Sequence, residues 1–137
     1  MSADIDHKTA LIYTMVLVSA ADAEMTDREL HTIGELVRTL PVFSDFDPER
    51  LTRTAADCAR QLGQEGGLDR ILAQIKKALP AKLRETAYDV ACEVAAAALD
   101  PHQAALRLLE MLRDRLGLDR LIAAAIERGA RARYSTI

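Results

Sequence analysis

The sequence predicts an all-α fold, a compact seven-helix bundle built from two pseudo-twofold-related halves, and three observations carry that prediction. The first is composition: half of the 137 residues are apolar, aromatics are only 4%, and glycine and proline number six and four. Alanine and leucine dominate the apolar half, which suits packed helices rather than sandwiched sheets. The second is a series of apolar stripes at helical spacing, each bounded by start and stop residues. The third is an internal repeat. A shift of 76 positions pairs Leu30 with Leu106, Ile33 with Leu109, Leu36 with Leu112 and Leu40 with Leu116. One domain spans residues 1–137, its first half covering about 5–64 and its second about 80–132. A chain of this length buries a core without disulfides or metal staples.

Helix one is expected over about Ile5 to Ala21, apolar almost all round and therefore surrounded by neighbours. Helix two opens on Thr26-Asp27-Arg28-Glu29, a capping box, and buries Leu30, Ile33, Leu36, Val37 and Leu40 before Pro41 stops it. Phe43 and Phe46, the two phenylalanines of the chain, share the short connection that follows and plug one end of the core. Asp47-Pro48 starts helix three, which points Leu51, Ala55, Cys58 and Leu62 inward and breaks at Gly63 and Gly66-Gly67. Helix four, Leu68 to Leu79, is short. Pro80 opens helix five, whose second half from Val90 to Ala98 is again apolar nearly all round, so helices one and five form a matched central pair. Asp100-Pro101 starts helix six, Gly117 ends it, and helix seven runs from Leu118 to about Arg131.

Charge and cysteine usage narrow the function classes. A net charge of −3 argues against nucleic acid as the main partner, and no aromatic residues interleave with the basic clusters. Those clusters are Arg70, Lys76, Lys77, Lys82 and Arg84 around one turn, and Arg128, Arg131 and Arg133 near the C-terminus. They read as helix-terminal cations or as a docking face for an acidic partner. Cys58 and Cys92 sit apart within helical patterns and read as buried free thiols, which points to the cytoplasm. Met1 to Lys8 reads as no signal segment, and the apolar run of helix one is too short to span a membrane. His7, His31 and His102 are scattered, and Gly63 to Gly67 lacks the Lys-Ser or Lys-Thr of a phosphate loop, so no enzyme is expected.

One constellation carries chemistry. Asp22, Glu24, Asp27 and Glu29 crowd the bend between helices one and two. Hard cations such as Ca²⁺, Mg²⁺ or Mn²⁺ take several oxygen ligands converging from a bend, and Asp22, Glu24 and Glu29 are the candidate set. Glu29 equally serves the capping box, so a structural role for the whole corner stays open. An EF-hand is excluded: counting from Asp22, the sixth and twelfth places hold Asp27 and Ile33. At the matching corner of the second half, Ala98 and Ala105 replace Asp22 and Glu29. Asp100 reads there as an N-cap, and Glu93, inside helix five, needs a partner if buried.

With these residues in view, the chain resembles the tellurite-resistance TerB-like family over nearly its whole length. That family has two helical hairpins, each with an Ala-Asp-Gly-x-[Ile/Leu]-x-x-x-Glu bend. Ala21-Asp22-Ala23-Glu24-Met25-Thr26-Asp27-Arg28-Glu29 follows the first bend, with Ala23 in place of the usual glycine. Leu40-Pro41-Val42-Phe43 and Leu116-Gly117-Leu118 fall where each unit closes. The resemblance implies a pseudo-symmetric seven-helix fold and a metal-binding acidic cluster, carried here by Asp22 and Glu29 with Glu24 accessory. It also implies a link to chemical stress and a protein partner, with a TerC-like membrane complex as the family's example. The expected function is a non-enzymatic sensor or adaptor that binds a divalent cation weakly. The alternative is an interaction scaffold whose bend only caps helix two, and a homodimer is left open.

Overall fold

The computed structural model describes residues 4–21, 25–98 and 103–137. Seven α-helices fall within them: α1 (His7–Ser19), α2 (Asp27–Thr39), α3 (Leu51–Leu62), α4 (Gly67–Ala78), α5 (Ala81–Ala97), α6 (Gln103–Leu116) and α7 (Arg120–Arg133). Short 3-10 turns at Pro41–Phe43 and Pro48–Arg50 join α2 to α3. Helix three therefore begins at Leu51, later than its proline predicts, because Asp47 caps a 3-10 turn with its carboxylate on the Glu49 amide (3.0 Å).

The repeat seen in the sequence recurs in the helix boundaries. Moving α2 forward by 76 residues starts it at Gln103, where α6 begins, and moving α1 forward places it within α5. The two apolar helices lie at the centre as expected. Every residue of α1 from Ala10 to Ser19 is buried, and α5 packs against α1, α2, α6 and α7. The alanines at 87, 91, 95 and 97 of α5 are all buried. With no side chain beyond Cβ, they let neighbouring helices come close.

Amphipathic helices surround this pair. Ile33, Leu36 and Val37 of α2 and Leu108, Leu109, Leu112 and Leu116 of α6 face the core. Leu30 and Leu106 do not: both are nearly half exposed, against the inward placement their spacing suggests. The buried arc of α2 centres on Glu29, Ile33 and Leu36. At 100° per residue, Leu30 falls at the margin of that arc in the first turn. Phe43 closes one end of the core with Phe46 edge-on to it, ring centroids 6.0 Å apart. Gly117 takes φ +67° after α6, where its amide bonds Asp114 O and the Leu118 amide bonds Arg113 O. That is a Schellman stop, and a Cβ at this position would strain it. No helix among the described residues is long and apolar enough to cross a membrane.

Candidate functional site

Of the three carboxylates proposed as ligands, Asp22 and Glu24 lie outside the described residues, and Glu29 is placed in full. Thr26 adopts extended backbone as the N-cap of α2, and Glu29 is the third residue of the helix. The Thr26 amide and hydroxyl both donate to Glu29 Oε1, at 3.0 and 2.8 Å. The Glu29 amide in turn donates to Thr26 Oγ1 at 3.2 Å. The capping box read in the sequence thus exists. Both bonds that the Glu29 carboxylate accepts in the box land on Oε1, which leaves Oε2 outside it. Glu29 is buried, while Asp27 faces solvent in the same turn.

In the second half, Asp100 and His102 also lie outside the described residues, so the N-cap expected at Asp100 does too. Ala105 occupies the position of Glu29 and is buried against the core, with no donor atom to offer. Among the described residues no group of three or more His, Cys, Asp or Glu side chains converges as a metal site. The donor chemistry of Asp22, Glu24 and Glu29 nonetheless suits a hard cation, since all three offer carboxylate oxygens.

A second polar constellation lies between α5 and α7; Glu93 and Arg133 were named from the sequence, whereas Tyr88, Arg113 and Glu127 were not. Tyr88 is buried in α5, and its hydroxyl donates to Glu127 Oε2 of α7 at 2.5 Å. Arg113 of α6 stands 3.7 Å from the same oxygen. This pair of contacts ties the three helices across a groove of about 320 Å³, floored by Tyr88, Cys92 and Ala95 and walled by Leu106, Leu109 and Arg131. Further along α5, Glu93 has no accessible surface, so it is the case in which a partner is needed. Arg133 Nη1 lies 2.5 Å from its Oε1, yet neither carboxylate oxygen has an aligned hydrogen-bond donor. Burial pushes Glu93 up to about 7, and Asp89 on the preceding turn adds to the rise while Arg133 and Tyr134 oppose it.

The thiols and the basic clusters fall out simply. Cys58 and Cys92 are free and buried, and burial pushes both up to about 12, so they are poor nucleophiles. Lys77 reaches Asp4 at 2.9 Å and Arg70 reaches Gln64 at 3.2 Å, so two residues of the basic turn serve contacts within the chain. Arg133 is likewise committed to Glu93. The partnership of Glu127 with Tyr88 carried no sequence signal, because it joins residues 39 apart through the packing of two helices.

An all-helical bundle with two related hairpins, a buried central helix pair and a capped acidic bend defines a small helical module. The family model for tellurite resistance protein TerB matches residues 8–128, and the chain belongs to that family. Neither the curated proteins nor the solved structures gave a match.

Proposed function

We propose that this chain is a non-enzymatic TerB-family sensor or adaptor that holds a divalent cation weakly at its first acidic bend. The observation that carries the reading is Glu29. It is a buried carboxylate at a helix start, with Oε1 fixed by Thr26 and Oε2 outside those bonds. Fixing one oxygen orients the other, and Asp22 and Glu24 supply further carboxylates a few residues away. A bound Ca²⁺, Mg²⁺ or Mn²⁺ would neutralise these charges where the chain turns from α1 into α2. The chain's own contribution is to cap α2, orient Glu29 and keep the bend acidic. A protein partner in a stress-related complex completes the proposal, and two buried free thiols are compatible with a reducing compartment such as the cytoplasm.

The test is a thermal melt of metal-stripped protein with and without millimolar Ca²⁺, Mg²⁺ and Mn²⁺. A cation that binds only the folded state stabilises it by about 2.7 kcal/mol at a hundredfold excess over its dissociation constant. The midpoint should rise with one or more cations, and Asp22→Ala should abolish the rise while leaving the metal-free protein little changed. An unchanged midpoint with every cation leaves a scaffold whose bend only caps α2.

A further inference from the structure

Among the described residues, helices α6 and α7 both pack on α5 but scarcely on each other. The gap between them is the groove of about 320 Å³ whose floor is Tyr88, Cys92 and Ala95. Cavities that take small ligands begin near that size, with an apolar lining and a few fixed polar groups. The lining here is apolar at the bottom, and Leu106, nearly half exposed, forms part of one wall. Each wall also brings an acid and an arginine: Glu110 and Arg113 from α6, Glu127 and Arg131 from α7. Two of these four are already engaged. Glu127 Oε2 accepts the Tyr88 hydroxyl and lies 3.7 Å from Arg113. Burial and the Glu127 hydrogen bond push the Tyr88 hydroxyl above its usual range, so it stays protonated as the donor. Glu110 and Arg131 are left over. Both are exposed at the rim, and among the described residues neither forms an ion pair, with the other or with any other charge.

We propose that the groove between α6 and α7 binds a small apolar α-amino acid, its side chain over Ala95 and Cys92, its ammonium on Glu110 and its carboxylate on Arg131. Such a molecule carries both charges on one carbon. Two side chains of opposite sign that share a groove without pairing can therefore each take one of them. Arginine suits the carboxylate, because its planar fork donates to both oxygens at once. The charges of the groove balance, two acids against two arginines, which selects against a ligand of one sign. A bare acid would leave Glu110 without a partner and opposed to it, and a bare amine would do the same at Arg131. Exposed ion pairs are individually weak, so covering the ligand's apolar side chain supplies most of the affinity and the rim charges supply the selection. This site shares no residue with the acidic bend, so it stands whether or not the bend holds a cation.

The test is a calorimetric titration of the full chain with L-leucine and L-phenylalanine, set against the same side chains lacking one charge. Isocaproate and isoamylamine are leucine without its ammonium and without its carboxylate. Hydrocinnamate and phenethylamine are the corresponding forms of phenylalanine, and glycine keeps both charges without the apolar body. At least one of the two amino acids should bind saturably, about tenfold or more tighter than glycine and than either of its truncated forms. Arg131→Gln and Glu110→Gln, both at exposed positions, should each weaken that binding by about tenfold and leave the melting midpoint of the ligand-free chain little changed. Methyl NMR locates the site: Ala95 and Leu106 should shift on titration, while Leu17 of α1 and Leu72 of α4 should not. No saturable binding of either amino acid overturns the proposal, as does a truncated form that binds equally well. Binding unchanged in both variants, or shifts centred away from Ala95 and Leu106, overturns it as well.

Discussion

Among the described residues the two halves of the bundle each bury one glutamate, and they treat it in opposite ways. In the first half Glu29 sits at a helix start, where backbone amides need acceptors, and Thr26 gives it two hydrogen bonds. In the second half the matching position is Ala105, and the buried acid is instead Glu93, in the middle of the central helix. The repeat places Leu17 opposite Glu93, and Leu17 is fully buried in α1. The halves thus share a packing scheme and exchange where the carboxylate lies. At a helix start an acid completes the local hydrogen bonding and meets the favourable end of the helix dipole. In mid-helix every backbone amide is already engaged, so Glu93 depends on a side chain arriving from another element.

The largest way to break this comparison is to give the first half the second half's arrangement. Leu17→Glu, lacking a partner like Arg133, should lower stability by about 3–5 kcal/mol at pH 8, measured by urea denaturation. It should cost less at pH 5, where the new acid can stay protonated. Next comes the pH dependence of the native chain. Glu93 has a higher pKa folded than unfolded, so the folded state binds the extra proton between about 4.5 and about 7. Its favourable contribution is complete below that window and is lost as pH rises through it. Stability from Glu93 should therefore fall by about 1–3 kcal/mol from pH 4.5 to 7.5, and Glu93→Gln should remove that slope in parallel urea titrations.

A smaller effect separates capping from burial in the first half. Thr26→Ala removes the hydroxyl from the box and should cost about 0.5–2 kcal/mol, with helix α2 losing amide protection from exchange at its first turn. Any cation-dependent rise in melting midpoint should shrink in the same variant, because Glu29 loses its orientation. The smallest effect tests the exposed leucines that the two halves share. Leu30→Gln and Leu106→Gln should each change stability by no more than about 0.5 kcal/mol, since both side chains are nearly half exposed. A loss of several kcal/mol would restore the inward placement that their spacing suggested.

Much of this was legible before any coordinates. The apolar circumference of α1 and of the second half of α5 marked the central pair, and the repeat aligned α2 with α6. Thr26 and Glu29 announced their own hydrogen bonds because a capping box is closed within four residues. Gly117 announced its stop for the same reason. The metal set was legible only as residue types, and Asp22 and Glu24 lie outside the described residues. Leu30 misled because the stripe it belongs to is wider than the surface that covers it.

The sequence by itself determined the features set by short-range stereochemistry and periodicity: seven helices, most of their ends, the apolar central pair, and membership in a two-hairpin family. Those depend on interactions within a few residues, where chain connectivity fixes the geometry. Only the tertiary structure decided that Tyr88 would meet Glu127, that Arg133 would close over Glu93, and that α7 would bury alanines and leave Leu121 in water. Each of these is a meeting of helices far apart in the chain. No local rule sets their register, because it follows from which side chains can fill the space between two packed surfaces.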